Sequence, residues 1–151
     1  MTWLTISGEI PGVSGAYTFV LYLQSPLPLS IKKFSGAVLD SGLYLYSGSA
    51  YGPGGIKARL SRHLRREKKV HWHIDHVTGK SNILAAAALP EGRECHTIGK
   101  VLKDRQAGIP IPGFGSSDCG TCSSHFLSLP ANTDIGGLLA SLKTEHIWLA
   151  E

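Results

Sequence analysis

The sequence lacks the apolar runs that would take a protein into a membrane. It contains no stretch of about 18 uninterrupted apolar residues, so no transmembrane helix is expected. Its first residues, Met1 to Thr5, do not show the basic and then apolar pattern of a signal peptide. We therefore expect a cytoplasmic protein with no membrane partner.

Cysteine is scarce as well. The three cysteines, an odd number, argue against a disulfide framework and fit a reducing compartment. Cys119, Cys122 and His125 are closely spaced, however, and together with Cys95 they are a candidate set of ligands for structural Zn²⁺. Because two cysteines three positions apart are weak support by themselves, the sequence favours reduced cysteines without a ligand over this zinc site.

The chain also shows no internal repeat and no linker that would divide it. Its 151 residues are 42% hydrophobic and 17% charged, a balance typical of a compact chain rather than a disordered one. We expect a single domain over residues 1–151. The pattern of its elements predicts an α/β fold, an α+β sandwich in which a small, mainly antiparallel β-sheet is flanked by helices.

Hydrophobic periodicity and the positions of glycine and proline predict the order of these elements. A strand at 15–23 is apolar on both faces and therefore central. We interpret 82–89 as a buried strand because the interval between Gly79 and Pro90 is short for a helix. The other predicted strands are 3–6, 27–32, 43–49 and 124–129, with 15–23, 27–32 and 43–49 forming a meander; helices are predicted at 56–68, 71–77, 93–106 and 133–148, and a long loop at 107–123.

Acidic residues are few where basic residues concentrate. Residues 57–69 hold seven of the 15 lysines and arginines, and only Glu67 opposes them. Such charge favours a surface that binds a nucleic-acid backbone over a plain solvated face, and predicts binding that weakens as salt rises. DNA is the expected partner, with RNA left open and a protein partner for targeting as a further option. The residues assigned to backbone contact are Lys57, Arg62, Arg65, Arg66, Lys68 and Lys69.

A second set of residues carries the side chains that phosphodiester cleavage needs. The reaction requires a group that prepares water, a cation that stabilises the phosphorane and a ligand for a metal ion. Tyrosine, arginine and glutamate can fill these roles. On the predicted helix Arg59 and His63 lie one turn apart at the edge of the buried stripe, from which both would reach into a cleft. The candidate residues are Tyr17, Tyr46, Arg59, His63 and Glu94.

The order of these residues resembles that of the GIY-YIG nuclease superfamily, most closely a small stand-alone prokaryotic branch of largely uncharacterised role. The resemblance covers roughly residues 15–106. It is carried by Gly15-Ala16-Tyr17, by Tyr46-Ser47-Gly48, by Arg59 and His63 on one helix, and by Glu94 opening a later helix.

The resemblance implies a metal-dependent endonuclease that hydrolyses DNA phosphodiester bonds, in repair or recombination. Tyr17 would be the general base or would position the water, and Tyr46 would be its partner. Arg59 would stabilise the transition state, and His63 would orient a group or shuttle a proton. Glu94 would bind one Mg²⁺ or Mn²⁺ ion. His73 and Asp75 are expected in the same cleft, or else Trp72 and Ile74 pack while the histidines contact phosphate. Asp118 or Ser116 is a candidate for the superfamily's late asparagine.

Two alternatives accompany this interpretation. The first is a nucleic-acid-binding module that keeps the fold without useful turnover. The second is a zinc hydrolase, because His71, His73, Asp75 and His76 match the H-x-H-x-D-H signature of metallo-β-lactamase-type enzymes. A basic helix leads into this run where that signature requires a strand, and the chain is half the usual size, so the second alternative is the more remote.

Overall fold

A computed structural model describes residues 4–6, 9–115 and 122–150. The described residues confirm the α/β architecture, with an antiparallel sheet flanked by helices. In chain order the elements are β1 (Gly15–Leu23), β2 (Leu27–Pro28), a 3₁₀ turn (Lys32–Phe34), β3 (Val38–Leu39), β4 (Gly42–Ala50), α1 (Gly55–Leu64), α2 (Asp75–Thr78), β5 (Asn82–Pro90), α3 (Glu94–Asp104), β6 (Phe126–Leu129), α4 (Ile135–Ala140) and β7 (His146–Leu149).

The main sheet, as far as the structure describes it, has five strands in the order β6-β4-β1-β5-β7, each antiparallel to its neighbours. The prediction that 15–23 is the central strand is confirmed, and 82–89 is indeed a strand. The predicted meander is wrong. Residues 27–32 give only β2, which pairs with β3 in a separate small sheet, because Pro26 and Pro28 cannot donate to a ladder.

The alternation of β1 divides the core between the two faces of the sheet. Tyr17, Phe19 and Leu21 point to one side, which α1 and α2 cover. Val20 points to the other side and meets Ile98 of α3 and the leucines of α4. The sheet is therefore the middle of three layers.

Three boundary predictions are corrected. Helix 56–68 ends at Leu64, since Arg65 is extended. The predicted helix 133–148 divides into the short α4 and the edge strand β7, which pairs with the alanines of β5. Of the predicted first strand, residues 4–6 do not form a strand, and residue 3 lies outside the described residues. The amide of Leu4 nevertheless donates to the carbonyl of Ile83 at 2.9 Å. No helix in the described ranges has both the length and the apolar character needed to cross a membrane.

Candidate active site

A cleft of about 480 Å³ opens where β1, β4, α1 and the start of α3 approach one another. Five of the six residues predicted to be catalytic line it, although they come from five separate parts of the chain. His63 does not. The lining residues used below are Tyr17, Tyr46, Arg59, His73, Glu94 and His125.

Two glycines explain how Tyr17 fits into the sheet. Gly48 lies directly opposite Tyr17 on β4, and a Cβ atom at Gly48 would overlap the ring and hydroxyl of Tyr17. A Cβ at Gly15 would meet the backbone of Leu89 and Glu91. The glycines of Gly15-Ala16-Tyr17 and Tyr46-Ser47-Gly48 thus leave room for the tyrosine ring and for close backbone packing beside it.

His63 lies behind Tyr17 and is fully buried. The Tyr17 hydroxyl and His63 Nε2 are 2.6 Å apart, and the His63 ring also packs 5.3 Å from that of Phe19. The prediction that His63 reaches the cleft from the edge of its helix is therefore wrong. It contacts the cleft through the rings of Tyr17, Tyr46 and Trp72, which line it.

Burial also determines the protonation of this pair. It lowers the pKa of His63 to about 3, which makes the imidazole neutral at physiological pH. It raises the pKa of Tyr17 well above its ordinary value and raises that of Tyr46 too. Neither tyrosine is a phenolate in the resting protein. Both act as neutral hydroxyls that donate and accept hydrogen bonds.

Arg59 is the cation of the cleft. It is partly exposed, its Nη1 lies 3.5 Å from the carbonyl oxygen of Ser49, and its guanidinium sits 5.0 Å from the centre of the Trp72 ring. A guanidinium has five N–H donors, so this weak contact leaves most of them for an anion in the cleft. Packing on the flat indole fixes the direction in which they point.

The carboxylate of Asp75 fixes the backbone of the histidine-rich run, residues 71–76. Its buried carboxylate accepts two hydrogen bonds from Arg62, at 2.8 and 2.9 Å, and one each from the amides of His71 and Trp72. Burial alone would raise the pKa of Asp75, but these hydrogen bonds together lower it to about 2. The side chain is a buried anchor that turns residues 71–73 toward the cleft.

This arrangement does not form the metal site of the H-x-H-x-D-H alternative. Both oxygens of Asp75 are occupied by protein donors, and His76 Nδ1 faces the hydroxyl of Ser30 at 3.4 Å. His71 and His73 do line the cleft. Because His73 Nδ1 accepts from the amide of Gly115 at 3.0 Å, the proton of its neutral ring lies on Nε2.

Glu94 is the one carboxylate among the described residues that line the cleft. It opens α3, where its charge is favourable to the helix dipole. Its carbonyl accepts from the buried hydroxyl of Ser47, which also lies 3.4 Å from the carbonyl of Tyr17. One carboxylate beside hydroxyls suits Mg²⁺, which keeps several waters and takes its other ligands from phosphate oxygens. The residues present therefore fit the predicted ion.

The basic residues assigned to backbone contact have different surroundings. Arg62 is committed to Asp75, and Lys68 Nζ donates to the carbonyls of His63 and Arg65 at the end of α1. Arg62 and Lys68 are therefore corrections to the predicted surface, because they stabilise the fold. Four residues remain exposed on it: Arg65, Lys69, Lys57, which lies 3.5 Å from Glu9, and Arg66, whose Nη2 donates to Asn82 Oδ1.

The cysteines differ from the sequence prediction too. Cys95 and Cys122, 27 positions apart, are joined in a disulfide, with their Cα atoms 6.1 Å apart. His125 Nε2 lies 3.5 Å from the sulfur of Cys95. The fold brings the start of α3 against the chain that leads into β6, which places the two sulfur atoms together. Cys119, Asp118 and Ser116 lie outside the described residues.

Comparison with known protein families matches residues 16–147 to the family described as Domain of unknown function DUF123. The chain belongs to the DUF123 family. The matched range includes every residue of the cleft named above. No curated protein and no solved structure matches the chain. Membership of DUF123 therefore gives the family without an activity, and the chemistry has to be argued from the cleft.

Sequence reasoning missed three contributors to this DUF123 cleft. Trp72 was expected only to pack, yet it supports Arg59 and Arg62 on its ring. Gly115, in the loop after α3, donates its amide to His73. The φ of Gly115 is 72°, a backbone conformation that favours glycine. His125 was assigned only to zinc, but it also lines the cleft. Their roles depend on contacts between distant segments.

Proposed function

We propose that this protein is a metal-dependent endonuclease of the GIY-YIG type that hydrolyses DNA phosphodiester bonds. The observation that carries the proposal is the meeting of Tyr17, Tyr46, Arg59 and Glu94 around one cleft, with basic side chains on the adjoining helix. Two hydroxyls, one guanidinium and one carboxylate are the groups that hydrolysis of a phosphate diester requires.

Arg59 holds the scissile phosphate. Its free N–H donors face the cleft, where negative charge accumulates on the phosphorane oxygens in the transition state. His73 supplies a further N–H from Nε2 when its ring is neutral. An Mg²⁺ or Mn²⁺ ion bound by Glu94 would supply Lewis-acid stabilisation of the leaving oxygen.

Tyr17 positions the attacking water. In the tautomer that carries the His63 proton on Nδ1, the Tyr17 hydroxyl donates to His63 Nε2, which leaves the oxygen lone pairs of Tyr17 to accept from water. As the water oxygen bonds to phosphorus and the ester bond breaks, the proton of the water passes to the Tyr17 oxygen and the proton of Tyr17 passes to His63. With a pKa of about 3, His63 holds this proton only while the phosphorane charge is present and then returns it through Tyr17 to solvent, while the leaving oxygen takes a proton from water.

A nicking assay tests the proposal. The protein is incubated with plain, branched and damaged DNA, with Mg²⁺ and without it. We expect Mg²⁺-dependent nicking that Glu94→Gln abolishes while DNA binding is retained. The control is Glu145→Gln, which removes an exposed carboxylate outside the cleft and should leave nicking unchanged.

The outcome also distinguishes the alternative. Binding by the unmodified protein without nicking of any of the three DNA forms would refute the nuclease and leave the non-catalytic binding module. Equal nicking by the Glu94→Gln variant would show that cleavage arises elsewhere.

A further inference from the structure

A group of three side chains beside the cleft has no part in the proposed hydrolysis. The sulfur atoms of Cys95 and Cys122 and a ring nitrogen of His125 all lie within 4.8 Å of one another. They come from the first turn of α3, from the end of the long loop and from the residue before β6. Two thiols and an imidazole are the donor set that zinc favours in proteins.

The distances between these groups match those of zinc ligands. Bonds of about 2.3 Å to sulfur and about 2.0 Å to nitrogen, at a tetrahedral angle, place the two donor atoms about 3.5 Å apart. The sulfur of Cys95 lies 3.5 Å from His125 Nε2. A sulfur of a disulfide is a poor hydrogen-bond partner, so the Cys95–Cys122 bond alone does not explain why His125 Nε2 is directed at it.

The orientation of His125 supports the same conclusion. The His125 backbone is fixed on both sides, because its amide donates to the carbonyl of Phe114 and its carbonyl accepts from the amide of Ser47. A hydrogen bond with the backbone of Gly115 also acts on the ring. Metal-binding histidines are commonly held in this way, with one nitrogen on a backbone group and the other on the metal.

We propose that the reduced protein binds one structural Zn²⁺ ion through Cys95, Cys122 and His125. Binding requires the dithiol form, and each thiol that binds releases a proton. The ion would fasten the end of the long loop to the start of α3 and so hold Glu94 beside the cleft.

Elemental analysis tests this inference. The protein is purified with zinc in the medium, a phosphine reductant and no chelator, and its zinc is measured by plasma mass spectrometry. We expect one zinc ion per chain in the unmodified protein, and near zero in Cys122→Ser and in His125→Ala. The matched control is His96→Gln, which changes an exposed histidine next to Cys95 and should keep its zinc.

A second measurement keeps the test valid where a variant fails to fold. Adding a chelator to the reduced, unmodified protein should lower its melting temperature, and adding zinc back should restore it. Reduced protein without zinc, or protein whose intact mass stays two hydrogens low under reductant, would overturn the inference in favour of a disulfide. Glu94→Gln should keep its zinc, so failure of the nuclease proposal leaves this one standing.

Discussion

Removing the carboxylate of Asp75 should destabilise the fold more than any surface change. Asp75→Ala deletes four hydrogen bonds and leaves Arg62 without its partner, although only 19% of the Arg62 side chain is exposed. Breaking a buried ion pair in this way costs about 3–5 kcal/mol, and the partial exposure of Arg62 favours the lower end. At about 2–4 °C per kcal/mol for a chain of this size, 3 kcal/mol lowers the melting temperature by about 6–12 °C.

Urea denaturation followed by tryptophan fluorescence measures the loss, since Trp72 lies against Arg62. Asp104→Asn is the control. Asp104 pairs with Lys100 one helical turn away on the surface, so this variant should lose less than about 0.5 kcal/mol of unfolding free energy. A loss for Asp75→Ala no larger than the control's would refute the assignment of Asp75 as the buried anchor.

The same carboxylate predicts a dependence on acid. The pKa of Asp75 in the folded protein, about 2, lies below its ordinary value, so its stabilisation is complete above about pH 4 and is lost as the pH falls toward 2. In Asp75→Asn this contribution should be missing at every pH. The difference in unfolding free energy between the two proteins should therefore shrink as the solution is acidified, and a constant difference between pH 5 and pH 2.5 would contradict the reasoning.

Two further predictions concern the cleft and its basic rim. Gly48→Ala should displace the Tyr17 ring, abolish nicking and lower the free energy of unfolding by about 1–3 kcal/mol in a melting experiment. The control, Gly99→Ala on an open stretch of helix α3, should be neutral or stabilising. Normal nicking by the Gly48→Ala variant would show that Tyr17 has no part in the mechanism. Lys69→Gln should reduce the slope of log DNA affinity against log salt concentration, measured by fluorescence anisotropy, by about one phosphate contact. The control, Lys103→Gln on α3, should leave this slope unchanged. Equal slopes for the two variants would show that DNA does not bind at the basic residues around helix α1.

The sequence predicts an element well where local pattern and tertiary environment agree. The strand at 15–23 is apolar on both faces because it is covered on both, and its central position follows directly. The alanine run of β5 was correctly predicted as a strand because the interval between Gly79 and Pro90 is too short for a typical helix. Tyr17, Tyr46, Arg59 and Glu94 were found because each stands at a fixed place in such an element.

The errors arise where a distant partner decides the outcome. Residues 146–149 form a strand because β5 offers them an unpaired edge, which the leucine spacing of 133–148 does not reveal. His63 of helix α1 is buried because Tyr17 and Phe19 of strand β1 cover it. Asp75 is adjacent in sequence to candidate metal ligands, yet its partner is Arg62, 13 positions earlier.

The central position of β1 also governs how the protein must fold. Gly15 pairs with Ala50 on one side and with Pro90 on the other, so both ladders close chain segments of tens of residues. Domains dominated by such non-local pairing fold slowly, in milliseconds to seconds, because loop-closure entropy is lost before the contacts compensate for it. Tyr17 and Glu94 meet only after both ladders have formed. A newly made or partly unfolded chain therefore carries every residue of the cleft but no assembled cleft, so the proposed cleavage of DNA would require the complete fold.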